Sequence, residues 1–380
     1  MGEKMKKIFA AVLGGLLCVC AFAGGRSDAE KGTAAKETFK PSYKQQMPEG
    51  NPCVFEEVWG WVMRNREDEF KPEFPVTDAC YFSAEVDSYG NLCNIPDIRK
   101  LKDFNGRKHL VIVSDSRSLT HFLLDPTFKL VDKFVKDVMK AAKPYDGVQV
   151  DFELIPGKDA KNFYNFLVKL SEECKKADKM FTVCVPARVK TISDDIFPYK
   201  KIAEISDRVI IMAYDEHWST SKPGAIANVA WCQKIVDYAK TVIPQEKLVM
   251  GLPFYGRTWA SEKTASGWYF TGVNRLIRQY DAAKPKYVDD IPTTKITMKV
   301  SVEAWWEDCY SVVQKMRLYE QKEVKAIAFW RIGQEDPLVW DWVKYRAQII
   351  EPPIPEDVLN GQEEAPSTEV DHVDTEYAAE

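Results

Sequence analysis

The chain has 380 residues, of which 45% are hydrophobic and 29% are charged, a composition typical of globular proteins. That length accommodates one large α/β barrel or two ordinary domains. The formal charge of −5 comes from ten acidic residues in the last thirty, because the rest of the chain carries a small positive excess. A nearly neutral body argues against nucleic acid as a partner, since long-range attraction to phosphates needs a strongly basic surface.

The amino terminus has the order of an export signal: three lysines within the first seven residues, a run of sixteen uncharged residues, and two alanines at A-x-A spacing. Residues 1–23 are therefore predicted to direct export to the periplasm, the cell envelope or the medium. The run is shorter than the ~20 residues of a membrane span. Cys18 and Cys20 leave anchoring as a lipoprotein open. Residues 24–50 are predicted to be a polar linker, and residues 351–380 a disordered acidic tail.

Seven cysteines follow the export signal, an odd number without a C-x-x-C pair. This pattern is typical of neither a disulfide scaffold nor a zinc site, although one or two bridges remain open in an oxidising compartment. The four histidines lack the spacing of metal ligands. The sequence therefore predicts no metal and no other cofactor.

Short apolar runs alternate with helical patterns between residues 51 and 350. Runs of this kind, bounded by turn residues, are typical of strands buried on both faces of a parallel sheet. The eight runs cover residues 54–62, 79–86, 109–114, 147–153, 181–186, 208–214, 247–254 and 326–330. The longest helical patterns between them cover residues 125–142, 160–176, 229–241 and 301–320.

This alternation predicts βαβ units, and the eight runs fit a (β/α)8 TIM barrel over residues 51–350. A doubly wound open sheet is the alternative, but no G-x-G-x-x-G turn follows any of the runs. About seventy residues separate the seventh run from the eighth. They predict a small β or α+β insertion between strands 7 and 8.

The fourth run, "GVQVDFE", ends with two acids two residues apart, Asp151 and Glu153. Side chains alternate along a strand, so both acids face the same side, which in a barrel is the interior. Two neighbouring carboxylates repel and burial disfavours each charge, so the pKa of one acid rises and it holds a proton near neutral pH. Glu153, at the carboxyl-terminal rim, is predicted to be the proton donor. A strand end that simply meets solvent is the alternative.

Four motifs occur in the order typical of one enzyme family. "DGVQVDFE" (146–153) resembles D-G-x-D-x-D-x-E, "MAYDEHW" (212–218) resembles M-x-Y-D, and "GLPFYGRTW" (251–259) resembles G-x-P-x-Y-G-R. "AIAFWRIGQEDP" (326–337) resembles a last barrel strand that ends in tryptophan. The chain thus resembles glycoside hydrolase family 18, which contains chitinases and N-acetylglucosaminidases, over residues 51–350. It is similar there to the bacterial N-acetylglucosaminidases that act on spore-cortex or cell-wall peptidoglycan.

The resemblance implies a retaining, substrate-assisted hydrolysis of β-1,4 linkages after N-acetylglucosamine, in peptidoglycan or chitin-type glycans. Glu153 would protonate the glycosidic oxygen and then act as a base. Asp151 would orient the N-acetyl group of the substrate, whose carbonyl oxygen attacks the anomeric carbon. Tyr214 would donate its hydroxyl to the same group.

The resemblance also implies residues that bind the substrate. Trp330 would be the platform under the sugar at the cleaved linkage, and Met212 would line the bottom of the pocket. Asp215 and Arg257 would hydrogen-bond to sugar hydroxyls. Four tryptophans, Trp218, Trp259, Trp305 and Trp306, are candidates for further stacking surface along the cleft, but the adjacent Trp305 and Trp306 are expected to pack against a helix instead.

One position departs from the family pattern. Gln149 stands where the family has its middle aspartate. A neutral amide cannot share a proton with the acid pair, but it can still hydrogen-bond to Asp151. We therefore predict retained activity with an altered pH profile, and count Gln149 among the substrate-binding residues.

A lectin-like glycan-binding protein without catalysis is the alternative function on the same barrel. Such proteins typically lose the terminal acid of the motif, and this chain keeps Glu153. An envelope protein that interacts through its acidic tail is a third hypothesis. The expected partner is a glycan that contains N-acetylglucosamine, and the protein is expected to be a monomer.

Overall fold

The computed structural model describes residues 41–346, except residues 115, 262–263, 281 and 298–300. The predicted export signal, the first part of the predicted linker and the predicted acidic tail lie outside these residues. Within the described ranges, none of the helices combines the length with the hydropathy that a membrane crossing requires.

The described residues form short strands and helices that alternate along most of the chain. In chain order, the strands are β1 (Cys53–Phe55), β2 (Glu57–Met63), β3 (Asp78–Val86), β4 (Leu92–Cys93), β5 (Arg107–Ser114), β6 (Gly147–Phe152), β7 (Met180–Pro186), β8 (Arg208–Met212), β9 (Leu248–Pro253), β10 (Tyr255–Ser261), β11 (Thr264–Tyr269), β12 (Lys286–Val288), β13 (Ile291–Thr297), β14 (Ser301–Trp305), β15 (Ala326–Trp330) and β16 (Val343–Tyr345). The α-helices are α1 (Arg117–Leu124), α2 (Val131–Ala141), α3 (Ala160–Lys176), α4 (Tyr199–Ile205), α5 (Val229–Ala239), α6 (Phe270–Gln279) and α7 (Cys309–Gln321).

Eight of these strands form a closed parallel barrel. They pair in the order β2, β3, β5, β6, β7, β8, β9 and β15, and β15 pairs with β2 to close the ring. Each strand overlaps one of the predicted apolar runs. Helices pack around the barrel, and the predicted (β/α)8 TIM barrel is confirmed.

Strand β6 illustrates how the sequence builds both sides of the barrel wall. All its residues are buried. Phe152 belongs to the core between barrel and helices, where its ring stacks on Phe166 of α3 with centroids 5.5 Å apart. Because side chains alternate along a strand, Gln149 and Asp151 face the barrel interior instead.

The predicted helix over residues 125–142 is shorter in the structure. Asp125, the first residue of that range, caps a 3-10 turn and accepts a hydrogen bond from the Thr127 amide at 2.9 Å. Lys129 then adopts a left-handed φ of 56°, which interrupts the helical backbone. Helix α2 therefore begins only at Val131.

The predicted helix over residues 301–320 also begins later than expected. Residues Ser301–Trp305 form β14, because they pair with β10 and β13. Asp308 then caps α7 in a capping box with Ser311, so the helix starts at Cys309.

The insertion between the seventh and eighth barrel strands is an α+β unit, one of the two predicted forms. Its antiparallel sheet has the strand order β11, β10, β14, β13, β12. Phe270, Val273 and Ile277 of α6 pack against Ile296 and Trp306 of this unit. Because one residue separates β9 from β10, the insertion rises directly from the carboxyl-terminal rim of the barrel.

The last ten residues of the predicted linker, 41–50, lie against the insertion and α7. The Ser42 amide donates to Asn274 Oδ1 of α6 at 2.8 Å. The Tyr43 hydroxyl donates to Asp308 Oδ2 at 2.8 Å. This part of the predicted linker therefore packs on the folded body.

The amino-terminal ends of the barrel strands carry a set of hydrogen-bonded polar and charged side chains, which we call the basal network: Glu57, Asp78, Arg107, His109 and Arg208. Asp78 Oδ1 lies 2.8 Å from His109 Nε2 and accepts from Arg107 Nε at 2.6 Å. Glu57 Oε1 accepts from Arg107 Nη2 at 2.8 Å and from Arg208 Nη2 at 2.7 Å. Burial raises the pKa of both acids, but these partners outweigh burial and hold each pKa below its ordinary value.

Candidate active site

The carboxyl-terminal ends of the barrel strands surround an open cavity of about 330 Å³. The fold brings residues from six different strands, or from the residues just after them, to this one place. Seven of the residues predicted for the site line the cavity: Asp151, Glu153, Met212, Tyr214, Asp215, Arg257 and Trp330.

Asp151 and Glu153 form the acidic centre of the cavity. Asp151 is 6% exposed, and its Oδ1 has no hydrogen-bond partner within the described part of the chain. Burial raises the pKa of the Asp151 carboxyl, and a hydrogen bond from the Cys184 thiol opposes that rise only in part. The Glu153 side chain is exposed toward the cavity. The cavity walls still shield its carboxyl from water, which raises its pKa, and the nearby carboxylates of Asp151 and Asp215 raise that pKa further. The two acids therefore retain a proton near neutral pH.

Tyr214 lies beside this pair, just after β8. Burial raises the pKa of its hydroxyl well above the ordinary value, and the charge of Asp151 raises it further. Its ring meets the Tyr255 ring edge-on, with centroids 6.4 Å apart. Gly251 leaves room for this ring, since a Cβ there would lie 2.6 Å from the Ile211 carbonyl oxygen and 3.0 Å from Tyr214. The hydroxyl stays protonated and can donate a hydrogen bond inside the cavity.

Asp215 and Arg257 form an ion pair in the cavity wall. Arg257 Nη2 and Nε donate to Asp215 Oδ1 at 2.6 and 3.2 Å, and the Tyr255 hydroxyl donates to the same oxygen at 2.5 Å. Burial lowers the pKa of Arg257, but Asp215 and Tyr255 outweigh burial and leave it above the ordinary value. Asp215 has a φ of 60°, so the chain turns at once after Tyr214. The turn lets both side chains serve the same cavity.

Trp330 lines the cavity at the end of β15. Trp61 and Phe82 support its ring in edge-to-face contacts, with centroid separations of 5.5 and 5.0 Å. Met212, at the end of β8, packs on the same cluster of interior side chains as Trp330. An aromatic ring held in this way is a suitable platform for the apolar face of a sugar.

Eight further residues of the cavity wall were not among the predicted site residues: Pro186, Ala187, Trp231, Tyr255, Gly267, Trp268, Tyr269 and Gln334. Tyr255 lies inside the motif "GLPFYGRTW" and Gln334 inside "AIAFWRIGQEDP", so the motifs already contained that signal. Trp268 and Tyr269 end β11 of the insertion. No local pattern points to them, because only the folding of the insertion over the rim brings them to the cavity.

Gln149 is the predicted site residue that the structure does not bring to the cavity. It is completely buried on β6, deeper in the barrel than Asp151. Its side-chain oxygen accepts from Trp61 Nε1, and its amide donates to Cys80 and Thr182. The expected hydrogen bond from this amide to Asp151 is replaced by those contacts.

The four tryptophans considered as stacking surface have different environments. Trp259 and Trp306 are 1% and 0% exposed, so stacking on a ligand was the wrong prediction for Trp259, whereas Trp306 packs against α6 as expected. They fill apolar clusters in and beside the insertion. Trp305 is half-buried, whereas Trp218 is 52% exposed and remains accessible to a ligand.

The sequence pattern of the glycosyl hydrolases family 18 matches residues 59–335, a range that contains every residue lining the cavity. The chain belongs to this family. Membership confirms the family and the class of enzyme that the motifs predicted.

Relatives of this family member include the cortical fragment-lytic enzyme of Bacillus anthracis, 26% identical over 288 residues that cover 70% of this chain and 66% of that protein. The chain thus spans just under two thirds of that relative's length. Among solved structures, the spore cortex-lytic enzyme SleL of Bacillus cereus has a TM-score of 0.67 at 22% identity, covering 78% of this chain and 76% of that one. A chitinase from Chromobacterium violaceum has a TM-score of 0.67 at 20% identity, covering 75% and 96%. These likenesses confirm the fold.

Proposed function

We propose that this chain is a retaining glycoside hydrolase that cleaves β-1,4 linkages after N-acetylglucosamine, in peptidoglycan or chitin-type glycans. The acetamido group of the substrate acts as the nucleophile. The observation that carries this proposal is the convergence of Glu153, Asp151 and Tyr214 on one cavity beside Trp330. The names of the relatives, a cortical fragment-lytic enzyme and a chitinase, favour glycans of these two types.

The position of the two acids favours a nucleophile that the substrate supplies. In an ordinary retaining glycosidase, two carboxyl groups flank the sugar from opposite sides. Asp151 instead lies at the end of β6 and Glu153 follows it by two residues, just after the strand, so both approach the sugar from the same side. Asp151 is therefore suited to hold the acetamido group, and not to attack the anomeric carbon itself.

In the first step, protonated Glu153 gives its proton to the glycosidic oxygen and the bond from this oxygen to the anomeric carbon breaks. The acetamido carbonyl oxygen forms a bond to that carbon, which yields an oxazolinium ion. Asp151 accepts from the acetamido N–H with its unpartnered Oδ1 and stabilises the positive charge that develops. The Tyr214 hydroxyl donates to the same acetamido group.

In the second step, Glu153 acts as a carboxylate. It takes a proton from a water molecule whose oxygen attacks the anomeric carbon, and the bond to the acetamido oxygen breaks. The acetamido group is restored and Glu153 is protonated again for the next cycle. Two inversions at one carbon give net retention, so the β-anomer is released.

The rest of the cavity binds the sugar. Trp330 stacks on its apolar face, and Asp215 and Arg257 hydrogen-bond to its hydroxyls. Trp268 and Tyr269 of the insertion form an additional aromatic wall. Aromatic contacts exclude water from the reacting bond, which strengthens the electrostatic contribution of Asp151.

The test compares the native protein with Glu153→Gln on N-acetylglucosamine oligosaccharides and on muropeptides, following new reducing ends by mass spectrometry. Glu153→Gln keeps the shape of the side chain and removes its transferable proton, so we expect the rate to fall about 10²–10⁴-fold. Glu246→Gln, an exposed glutamate at the other end of the barrel, is the matched control and should retain the native rate. NMR of the first product should detect the β-anomer.

Two outcomes would overturn the proposal. Equal release of product by the native protein and Glu153→Gln would remove Glu153 from the mechanism. Glycan binding without any release by the native protein would favour the lectin-like alternative.

A substrate of this kind lies outside the cytoplasm, which agrees with the export signal predicted over residues 1–23. We therefore propose that the protein acts in the cell envelope or outside the cell. Mass spectrometry of the protein recovered from a secreting host tests this proposal, because cleavage after Ala23 gives a defined new amino terminus.

A further inference from the structure

Gln149 occupies a central position in the barrel without lining the cavity. Its Oε1 accepts from Trp61 Nε1 at 2.8 Å, and its Nε2 lies 3.3 Å from Cys80 Sγ and 3.4 Å from Thr182 Oγ1. All four side chains are completely buried. The amide group is thus held inside the barrel by side chains from β2, β3 and β7.

These contacts separate Gln149 from the acid pair. Asp151 keeps one carboxylate oxygen unpartnered within the described residues, although Gln149 is only two positions away on the same face of β6. A neutral amide also adds no charge to the interior, so it cannot repel or protonate either acid. Its chemical influence on the proton of Glu153 is therefore small.

The contact with Trp61 leads to the sugar platform. The Trp61 indole is buried and meets the Trp330 ring edge-on, with centroids 5.5 Å apart at 68°. Trp61 can donate from one atom only, Nε1, and Gln149 accepts that hydrogen bond. Without the acceptor, the indole would keep an unpaired buried donor or would turn to find another partner, and a turned indole no longer supports Trp330 in the same place.

We propose that Gln149 is a positioning residue: it fixes the Trp61 indole against Trp330, sets the orientation of the sugar platform, and takes no part in proton transfer. This inference rests on the proposed function, since it assigns Trp330 to the sugar. The sequence led us to expect that Gln149 alters the pH profile of activity. The inference instead predicts that Gln149 affects substrate affinity and leaves that pH profile unaltered.

The decisive variant is Gln149→Met, which has a similar length but no acceptor oxygen. On the full chain with an N-acetylglucosamine oligosaccharide, KM should rise about 5–20-fold, the range of one lost buried hydrogen bond. The value of kcat should stay within about 3-fold, and the pH dependence of kcat should not shift. Gln149→Glu is the conservative variant, because a neutral carboxyl keeps one acceptor and one donor. At mildly acidic pH, the KM of this variant should lie within about 3-fold of the native value.

Two more variants separate positioning from general damage to the core. Trp61→Phe removes the donor and keeps an aromatic ring, so it should raise KM by a similar factor, and the double variant with Gln149→Met should add little to either change. Thr182→Val removes the longest of the Gln149 contacts and leaves the bond to Trp61 intact. It should leave KM within about 2-fold of native.

The results distinguish the inference from the proposed function. A fall in kcat or a shifted pH profile with an unchanged KM in Gln149→Met would place Gln149 in proton transfer and overturn the inference. If the native chain binds chitotriose without hydrolysing it, the hydrolase proposal fails. The inference is then tested by calorimetry of Gln149→Met with chitotriose: weaker binding supports it, and an unchanged Kd overturns it. Absence of both binding and turnover in the native chain would overturn both.

Discussion

Both ends of the barrel interior contain carboxylates, but the pKa values of these carboxylates shift in opposite directions at the two ends. In the basal network, Asp78 and Glu57 are paired with cationic side chains, and the pKa of each lies below its ordinary value. At the cavity, Asp151 and Glu153 have no cationic partner within the described residues, and the pKa of each is raised. Burial acts in the same direction at both ends, so the partners decide the difference.

The comparison separates stability from chemistry. Paired carboxylates hold a fixed charge and join the starts of neighbouring strands. Unpaired carboxylates in a low-dielectric site hold a proton that can be moved, at the expense of stability. Strand direction assigns the two roles, because the carboxyl-terminal ends of the strands are open to substrate and the amino-terminal ends are closed.

The largest effect is expected when the basal network is broken. Asp78→Asn removes one charge, which leaves the fully buried His109 without its carboxylate partner and Arg107 with Glu57 alone. Breaking a buried pair from one side costs about 3–5 kcal/mol of unfolding free energy. Urea unfolding of the folded domain measures this loss. Well below its melting temperature, the variant should hydrolyse glycans at the native rate.

The control for this variant is Asp137→Asn, which breaks an exposed ion pair with Lys133 on α2. It should change the unfolding free energy by about 0.5 kcal/mol or less. An equal response of the two variants would contradict the role of the basal network. A folded but inactive Asp78→Asn would contradict the separation of stability from chemistry.

The pH dependence of stability should have opposite signs at the two ends. The pKa values of Asp78 and Glu57 are lowered on folding, so their stabilisation is present above the unfolded values of about 4 and is lost as the pH falls through the folded values. The pKa of Asp151 is raised on folding, so its contribution is present below about 4 and is lost as the pH rises through the folded value. Each proton that the folded and unfolded states bind differently changes the unfolding free energy by at most about 1.4 kcal/mol per pH unit.

Urea titrations between about pH 2 and pH 9 measure both signs, because the loss at Asp78 and Glu57 lies below about pH 4. In the native protein, the unfolding free energy should decline toward alkaline pH. Asp151→Asn should make that decline smaller and leave the loss of stability at acidic pH unchanged. In the same range, kcat of the native protein should fall as the pH rises through the raised pKa of the acid pair, because Glu153 loses its proton. A native protein whose stability and kcat both increase up to pH 9 would refute the assignment of the proton to this pair.

The sequence predicts the parts of the molecule that depend on local pattern. The barrel strands follow from apolar runs, and the cavity residues from motifs at strand ends. Residues Ser301–Trp305 were misassigned because pairing with β10 and β13, and not their own periodicity, makes them a strand. Trp268 was missed because the insertion brings it to the cavity from a distant part of the fold.

Gln149 shows a second limit. Alternation along β6 points its side chain into the barrel, as it does for Asp151. Two residues along a strand are about 6–7 Å, however, and that depth places Gln149 below the cavity. Alternation gives the face of a side chain, whereas its partners at a given depth depend on strands far away in sequence, here β2 and β7.

The smallest effect is expected at the ion pair that resembles the basal network but lies in the cavity. Arg257→Lys keeps the charge opposite Asp215 and loses the planar group that reaches its Oδ1 through two nitrogens and lies 5.4 Å from the Tyr255 ring centroid. We expect KM to rise about 5–10-fold, near 1 kcal/mol, with kcat and the melting temperature nearly unchanged. Arg188→Lys, at a similar pair with Asp195 outside the cavity lining, should leave KM at the native value. The opposite result for Arg257→Lys, a lower melting temperature at an unchanged KM, would give this pair the structural role of the basal network and confine substrate binding to the aromatic walls.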